Sequence, residues 1–315
     1  MSLQKVEFVE TPGNIVRKCP GTKRHICCGY QTIDLVEGCV LSCSYCILKA
    51  YLKEDVIKIS YDPLKVLAEL DQVIDKPDGH VQRFGTGELS DSLAIDRRYR
   101  LNRFLVEYFG TRKKAILELK SKWADFHHLI PYLNPYTVIS FSLSPQRFID
   151  AEETRTSPVH KRLKAARLAQ ECGSFVGLHL DPIVIYDGFE RDYRYLIEDI
   201  GRVLDPGKII WISMGTLRFP PALYGSLLER KRKYLLSGEF IRGEDGKYRY
   251  IKPERIRIYK MLYKLLKDID QGLFIYLCME RADVWKQALG IEMKDNNDLT
   301  DLFDKRIHTL FGGAI

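Results

Sequence analysis

The sequence from Gly38 to Leu48 reads GCVLSCSYCIL and places three cysteines in a Cys-x3-Cys-x2-Cys arrangement. Cys39, Cys43 and Cys46 come directly after a predicted strand, so they belong to one loop at the end of that strand. A 4Fe–4S cluster usually takes four protein thiolates, one for each iron. Three thiolates in one loop hold three irons and leave the fourth open to a small molecule. The spacing therefore predicts a 4Fe–4S cluster on these three cysteines.

An open iron can be chelated by the amino and carboxylate groups of S-adenosylmethionine. An electron from the cluster then breaks a C–S bond and yields a 5′-deoxyadenosyl radical, so the cofactors carry the difficult step. We therefore expect a radical enzyme that uses a 4Fe–4S cluster and S-adenosylmethionine.

Two alternatives stay open for the cysteines. The triplet could form one corner of a zinc site completed by a further ligand, although zinc knuckles favour paired Cys-x2-Cys elements and the chain has one such pair. The three could also be buried as small apolar residues, which fits poorly with the serines between them. A second metal site is a further alternative. The candidate ligands are His25, Cys27 and Cys28 for the zinc corner, and Cys19, Cys27 and Cys28 for the second site.

Composition places the chain among globular proteins. It has 315 residues, 45% of them hydrophobic, and a net charge of +7. No apolar run approaches the roughly 18 residues of a membrane span, and the N-terminus lacks the apolar core of a secretory signal. We expect a cytoplasmic protein with no membrane partner. In that reducing compartment its eight cysteines are thiols or metal ligands.

Short β-rich runs alternate with amphipathic helical patterns after residue 30. This alternation predicts βαβ units and a mainly parallel sheet, curled into a partial barrel with its chemistry at the carboxyl ends of the strands. The predicted strands cover residues 32–36, 56–59, 80–84, 115–119, 137–143, 175–180 and 209–214. The predicted helices between them cover residues 63–73, 100–109, 158–172 and 189–204.

The pattern changes after about residue 220. A helix over 223–236, a hairpin over 238–250, a basic helix over 253–268, a strand over 273–277 and a helix from about Ala282 are predicted. We therefore expect an α/β fold in three parts. These are an irregular N-terminal segment over 1–30, the partial barrel over 31–220, and an α-rich extension over 221–315 packed on the barrel.

Beyond the cysteine triplet, the sequence from about residue 32 to about 220 resembles the spore photoproduct lyase family of radical S-adenosylmethionine enzymes. The resemblance implies a partial (β/α)6-type barrel with the cluster at its top and S-adenosylmethionine across the strand ends. The stretches that carry it are 37–39, 45–48, 83–84, 90–91, 95–96, 141–143, 156–158, 161–162, 181–183, 188–190 and 217–219.

The resemblance also implies roles for single residues. Tyr45 precedes the last cluster ligand and helps to shield the cluster and cofactor. Ser90 matches a family position near the methionine end of the cofactor. Lys120 pairs with the cofactor carboxylate, with Lys122 as a competing alignment, and Ser142 contacts the ribose.

One departure concerns the return of a hydrogen atom to the product radical, for which the family uses a cysteine. Glu88 occupies that place in the stretch 85–91, which reads GTGELSD. A carboxylate is a poor hydrogen-atom donor because its O–H bond is far stronger than a thiol S–H bond. Glu88 instead resembles the Gly-Gly-Glu-type turn that binds the cofactor amino group. Cys278, after the last predicted strand, is the candidate replacement donor.

Three functions are compatible with these patterns. The first is a lyase-like DNA-repair enzyme that acts on a thymine-dimer lesion, with DNA and an external one-electron reductant such as flavodoxin or ferredoxin as partners. The second is a radical enzyme on the same scaffold that acts on a peptide, RNA or small metabolite. The third is a non-enzymatic iron–sulfur or zinc protein. DNA binding rests on aromatic residues interleaved with basic ones at 248–250 and 257–260, and on basic clusters at 97–100, 112–114, 161–164 and 230–233. Solvated helix faces are the simpler explanation of each single basic cluster.

Overall fold

The structure, a computed structural model, describes residues 5–52, 56–76, 79–230, 232–313 and 315. Lys231 of the basic cluster at 230–233 and the first four residues of the N-terminus lie outside the described residues.

The strands and helices alternate along most of the described chain. The strands are β1 (Lys5–Phe8), β2 (Val16–Lys18), β3 (Gln31–Ile33), β4 (Val36–Glu37), β5 (Ser42–Cys43), β6 (Val56–Ile59), β7 (Gln82–Gly85), β8 (Ala115–Ser121), β9 (Thr137–Ser142), β10 (Glu153–Thr154), β11 (Phe175–Ile183), β12 (Ile209–Thr216), β13 (Arg218–Phe219), β14 (Phe240–Arg242), β15 (Tyr248–Tyr250) and β16 (Ile275–Leu277). The α-helices are α1 (Leu48–Tyr51), α2 (Pro63–Ile74), α3 (Asp96–Tyr99), α4 (Arg103–Arg112), α5 (Gln146–Glu152), α6 (Val159–Glu171), α7 (Phe189–Val203), α8 (Pro221–Glu229), α9 (Lys252–Ile269), α10 (Ala282–Leu289) and α11 (Asn296–Phe311). Two short 3₁₀ helices cover His127–Tyr132 and Pro206–Lys208.

An eight-stranded sheet in the order β16-β12-β11-β9-β8-β7-β3-β2 forms the curled half-barrel, so the expected α/β partial barrel is confirmed. Its neighbouring strands are parallel from β16 to β3, and only β2 at the edge runs antiparallel to its partner. Parallel strands bring all their carboxyl ends to one mouth, where ligands bind in such folds.

Residues alternate between the two faces of each barrel strand, as the period of two requires. On β9 and β11 the outward residues are apolar and fully buried, among them Ile139, Phe141 and Leu178. The helices cover this outer face. α7, for example, buries Phe189, Tyr193, Leu196, Ile197 and Ile200 at helical spacing. The inner face carries polar residues, so the core that stabilises the barrel lies between the strands and the helices.

One predicted strand belongs to another sheet. β6 has the predicted bounds, but it pairs with β1 and β4 in a separate three-stranded sheet and is not a barrel strand. Only alternate residues of β6 are buried, Ile57 and Ile59, whereas β9 is buried at every position. The half-buried pattern is typical of a strand covered on one face, and barrel strands are covered on both.

The C-terminal region contains the predicted hairpin, formed by β14 and β15. The helix predicted over 223–236 is shorter, because α8 ends at Glu229. The backbone N–H of Arg232 donates to the carbonyl oxygen of Leu227, five residues back, at 3.1 Å, which closes the end of the helix. β16 extends the barrel sheet beside β12, and α11 closes the chain. Residues 1–30 contribute β1 and β2, so this segment is not irregular throughout. The boundaries at residues 30 and 220 stay predictions.

Candidate active site at the mouth of the barrel

The cysteine loop is held on both sides by strands. It begins at Gly38, whose φ is +99° and where an added Cβ would lie 2.8 Å from the carbonyl oxygen of Val56. Glycine is therefore required for the chain to turn here. Further along, β5 pairs antiparallel with β10, so that Cys43 lies opposite Glu153. These contacts fix the loop before any metal is bound.

The environment of the thiols fits an iron–sulfur centre. Cys43 is buried, and Cys39 and Cys46 are partly buried. Burial raises the pKa of Cys39 to about 12, with a further rise from Asp91, while backbone N–H groups of Leu41 and Asp91 act in the opposite direction. Such N–H groups are the donors that stabilise cluster sulfurs. Burial likewise raises the pKa of Cys43 to about 12, opposed by Lys122.

A buried ionic network lies under the loop and is centred on Glu153. Its carboxylate accepts hydrogen bonds from Lys122 at 3.0 Å, from Arg162 at 2.5 Å and from the Tyr45 hydroxyl. Burial by itself would raise the pKa of Glu153, but the two cations and the hydroxyl lower it to about 2. Tyr45 packs against Phe148 with ring centroids 5.6 Å apart. Tyr45 and Lys122 therefore support the loop from below.

Arg162 ties this network to the rest of the mouth. Its guanidinium is fully buried and donates to the carbonyl oxygens of Ser142 at 2.8 Å and Ser157 at 2.7 Å, as well as to Glu153. One side chain therefore joins the end of β9, the turn before α6 and the cysteine loop. Arg162 lies in one of the stretches that carry the family resemblance, 161–162, but the sequence alone predicted no role for it.

The turn after β7 approaches the end of β8 closely. An added Cβ at Gly87 would lie 3.0 Å from the Lys120 Cβ, so glycine permits this approach. The Lys120 ammonium lies 3.9 Å from the Glu88 carboxylate. Burial would lower the pKa of Lys120, but Glu88, Glu118, Asp181 and Cys278 together raise it. Lys120 is therefore a charged group at the mouth, next to Glu88.

Ser90 and Ser142 lie on either side of this pair. Ser90 lines a small cavity beside Thr86 and Asp91, and Asp91 accepts hydrogen bonds from the backbone N–H of Lys122 at 2.7 Å and the hydroxyl of Ser121 at 2.7 Å. Ser142 is buried at the end of β9. The structure thus brings Glu88 and Lys120 together, with Ser142 at the end of β9 and Ser90 in the loop after β7, the two strands that flank β8.

A second buried carboxylate lies deeper in the barrel and was missed by the sequence analysis. Glu118 accepts hydrogen bonds from Ser140 at 2.5 Å and the Trp211 indole at 2.9 Å, and its Oε1 lies 2.8 Å from His179 Nε2. His179 Nδ1 in turn lies 2.7 Å from the Ser213 hydroxyl. The sequence signal that could have revealed this buried polar group is the occurrence of polar residues at alternate positions of the predicted strands.

Cys278 lies at the mouth beside an ion pair. Its Sγ is 3.6 Å from Arg218, which donates two hydrogen bonds to Asp181, at 3.1 and 3.2 Å. Burial raises the pKa of Cys278 well above its ordinary value, and Arg218 opposes only part of that rise. The thiol therefore keeps its proton at neutral pH.

The hairpin lies next to Cys278 and brings a further cation. Burial lowers the pKa of Lys247, and Arg218 lowers it further, while Cys278 acts in the opposite direction. On the same hairpin, the Tyr248 ring stacks on Tyr224 with centroids 4.9 Å apart, and both rings are partly exposed. The hairpin thus brings a cation near the thiol and carries one ring of a partly exposed aromatic stack.

The zinc alternatives require thiolates close together, because Zn–S bonds of about 2.3 Å set a sulfur–sulfur spacing of under about 4 Å. Among the described residues, the one group of three ligand-type side chains with ligand atoms within 4.8 Å of one another is His80, Asp301 and Asp304. Neither the triplet nor Cys19, Cys27 and Cys28 forms such a group. The cysteine geometry does not favour a mononuclear zinc site.

No helix in the described part of the chain is long and apolar enough to cross a lipid bilayer.

A family model described as spore photoproduct lyase matches residues 23–219. Among curated proteins, the spore photoproduct lyase of Clostridium acetobutylicum is 27% identical over 171 residues, which is 54% of this chain and 51% of that protein. The spore photoproduct lyase of Bacillus subtilis is 28% identical over 174 residues, which is 55% of this chain and 51% of that protein. The matched part of the chain thus spans about half the length of these curated relatives.

Solved structures show the same fold. A spore photoproduct lyase complexed with dinucleoside spore photoproduct superposes with a TM-score of 0.75 at 22% identity, covering 86% of this chain and 82% of that one. A Streptococcus suis protein, SuiB bound to its precursor peptide, has a TM-score of 0.54 at 14% identity and covers 85% of this chain and 53% of that one.

Proposed function

The chain belongs to the spore photoproduct lyase family, and we propose that it is a radical enzyme that cleaves S-adenosylmethionine reductively at a 4Fe–4S cluster. Cys39, Cys43 and Cys46 would hold the cluster. The observation that carries the proposal is the cysteine loop itself, with thiols in Cys-x3-Cys-x2-Cys spacing, backbone N–H groups directed at Cys39, and the ionic network beneath Cys43.

When bound, the cluster and S-adenosylmethionine supply the radical that starts the reaction. The protein residues bind and orient. Lys120 provides a positive charge for the cofactor carboxylate, and Glu88 a negative charge for its amino group. Ser90 would contact the methionine end of the cofactor and Ser142 its ribose, and Tyr45 would shield the cluster and cofactor. Lys120 suits the carboxylate better than Lys122, because Lys122 already donates to Glu153 at 3.0 Å.

Anaerobic reconstitution with iron and sulfide, followed by measurement of 5′-deoxyadenosine, tests this proposal. The wild-type protein is expected to form 5′-deoxyadenosine. Cys172→Ala is the control, because Cys172 caps the C-terminal end of α6 and lies outside the cysteine loop, and it is expected to form 5′-deoxyadenosine as well. Cys43→Ala is expected to lose both the cluster absorbance and the 5′-deoxyadenosine. Formation of 5′-deoxyadenosine by Cys43→Ala would overturn the assignment.

We propose a DNA lesion as the substrate, in keeping with the solved family member complexed with dinucleoside spore photoproduct. Lys247 and Arg218 provide positive charge beside Cys278, and the Tyr224–Tyr248 stack provides an aromatic surface for an unstacked base. We propose a cytoplasmic location, in keeping with a DNA substrate. The electron that the cluster needs would come from an external one-electron reductant of the flavodoxin or ferredoxin type.

Cys278 is proposed to return the hydrogen atom that Glu88 cannot supply. The protonated thiol gives its hydrogen atom to the product radical and becomes a thiyl radical. Its raised pKa supports this role, because only the S–H form can donate a hydrogen atom. Cys278→Ala should still cleave S-adenosylmethionine but change the yield or stereochemistry of the product. Unchanged product from Cys278→Ala would rule out this donor.

A second function is favoured by Glu88 itself, since the family's hydrogen donor is absent from that place. It is a radical reaction on a peptide, RNA or small metabolite with the same scaffold. Incubation with oligonucleotides that contain a thymine dimer, read by mass spectrometry and by the salt dependence of binding, separates the two. A steep salt slope and repaired product support the lesion lyase. A shallow slope without preference for damaged DNA supports the alternative.

A further inference from the structure

Two thiols outside the cluster loop, Cys28 and Cys278, lie on neighbouring segments where the N-terminal segment pairs with the chain after β16. Cys278 follows β16, and its backbone N–H donates to the carbonyl oxygen of Met214 in β12 at 2.8 Å. The other edge of this stretch is covered by the N-terminal segment, because Ile26 and Glu280 form an antiparallel bridge with an N–H···O distance of 2.8 Å. Cys28 is therefore carried toward Cys278.

The register of the bridge identifies the partner. In antiparallel pairing, two residues forward on one chain lie opposite two residues back on the other, so Ile26 and Glu280 lead to Cys28 and Cys278. Directly opposite residues have Cα atoms about 4.5–5.5 Å apart, and a disulfide spans about 4.4–6.8 Å. Met279, with φ +56°, turns the chain between Cys278 and Glu280, so regular pairing does not by itself fix the distance between the thiols.

The side chains give a second sign of proximity. Burial raises the pKa of Cys278, and a negative charge on Cys28 raises it further. Burial also raises the pKa of Tyr276, and charges on Cys28 and Cys278 both add to that rise. Tyr276 and Cys278 are two residues apart, so they share one face of the chain. Both thiols are partly buried, which leaves them open to a small reagent.

The N-terminal segment is anchored on either side of Cys28. The Cys27 backbone N–H donates to Asn296 at 2.8 Å, and Arg83 donates to the carbonyl oxygen of Cys28. Further back, Arg249 contacts His25 at 3.1 Å, which connects the segment to the hairpin. These anchors hold the segment beside the end of β16, on the side where Cys278 lies.

We propose that Cys28 and Cys278 are a redox modification site and form a reversible disulfide across the mouth of the barrel. The oxidant is a low-molecular-weight disulfide. Each thiol loses its proton, one S–S bond forms, and the reagent takes up the two electrons and two protons to give two thiols. The effect on catalysis rests on the proposed function, because the bond would consume the S–H hydrogen of Cys278. The bond itself does not depend on that function.

The test uses the cluster-loaded full chain, incubated anaerobically with glutathione disulfide, blocked with iodoacetamide and digested with trypsin. Cleavage gives one peptide over 25–49 and another over 268–281. We expect these peptides to be joined by a bond that dithiothreitol cleaves. Because burial raises the pKa of both thiols, the joining rate should rise about tenfold per pH unit near neutrality.

Cys27→Ser is the matched control, since Cys27 is adjacent but its sulfur lies near Gly21, 3.1 Å from where an added Cβ would be. Cys27→Ser should still give the joined peptides, whereas Cys28→Ser, or Cys28→Ala as a second variant, should not. Joined peptides in Cys28→Ser, or a Cys19–Cys28 bond in the wild type, would overturn the proposal. So would reagent attached to the thiols separately without joining them.

Activity is measured on the same samples. Joined enzyme should form less lesion-repair product while it still forms 5′-deoxyadenosine, and dithiothreitol should restore the product. Joined peptides in an enzyme that repairs no lesion would support the modification site and count against the proposed substrate, so the two failures are distinguishable.

Discussion

Replacing Arg162 by methionine should weaken both the fold and the cluster site. The side chain is fully buried and donates four hydrogen bonds, to Ser142, Ser157, Glu153 and Thr156, at 2.5–2.8 Å. Methionine keeps much of the volume but leaves these acceptors without their donor. Lys122 and Tyr45 still compensate part of the charge on Glu153. Loss of one member of a buried ion pair costs about 3–5 kcal/mol, and we expect a loss in that range.

The stability measurement is urea unfolding of the apoprotein, followed by circular dichroism. Arg167→Met is the matched control on the same helix, because Arg167 is exposed and its ion pair within the described part of the chain is with Glu171, at 2.8 Å. An exposed pair at this spacing contributes about 0.3–0.5 kcal/mol. The free energy of unfolding should therefore fall several-fold more for Arg162→Met than for Arg167→Met.

Iron per chain after anaerobic reconstitution is the second measurement. Arg162→Met should bind less iron than Arg167→Met, because the cysteine loop loses its anchor through Glu153. The reasoning would be refuted if both variants unfolded within about 1 kcal/mol of each other and loaded the same amount of iron.

Three further predictions concern the interior and the mouth. Burial alone would raise the pKa of Glu118, but His179 and Lys120 hold that pKa well below its usual range. The ionised carboxylate therefore stabilises the fold above its unfolded pKa of about 4.5, and this stabilisation is lost as the pH falls. Between about pH 7 and pH 3 the urea midpoint of Glu118→Gln should change less than that of the wild type, and an equal change in both proteins would contradict this. Gly177→Ala places a Cβ 2.2 Å from the Ser140 hydroxyl and 2.5 Å from the Trp211 indole. It should lower the free energy of unfolding by about 1–3 kcal/mol and shift the tryptophan emission. The control Gly225→Ala in α8, where an added Cβ meets nothing within 4 Å, should leave that free energy unchanged or raise it by up to about 1 kcal/mol. Lys247→Ala should weaken binding to lesion-containing oligonucleotides, measured by fluorescence anisotropy. It should also reduce by about one the slope of the logarithm of the binding constant against the logarithm of the salt concentration. The control Lys286→Ala, at an exposed lysine, should leave this slope unchanged.

The barrel and the cysteine loop could be predicted from the sequence for identifiable reasons. Alternating strands and helices at regular spacing predict a parallel sheet, and the triplet at 39–46 is a local pattern that needs no tertiary contact to be recognised. The strand at 56–59 was found but assigned to the wrong sheet, because periodicity gives the type of an element and not its neighbour. The lysine at position 58, between two isoleucines, was the available sign that only one face of this strand is covered.

Contacts between distant residues were beyond the sequence. Glu153 and Cys43 are 110 positions apart yet lie opposite each other, and Glu118 and His179 meet only because β8 and β11 flank β9. The contact between Arg218 and Cys278 likewise depends on β16 joining the sheet beside β12. Such pairs follow from strand order, and a single sequence does not encode strand order in any local signal.

The alternation along the barrel strands divides their residues into two sets with separate tasks. Outward residues such as Phe141 and Leu178 pack against the helices, and inward residues such as Ser140 and His179 make polar contacts in the lumen. Changes in the inward set alter the lining of the reaction chamber and leave the helix-facing core intact. Selection can therefore replace the substrate of such a protein by altering every second residue of its strands, with the architecture preserved.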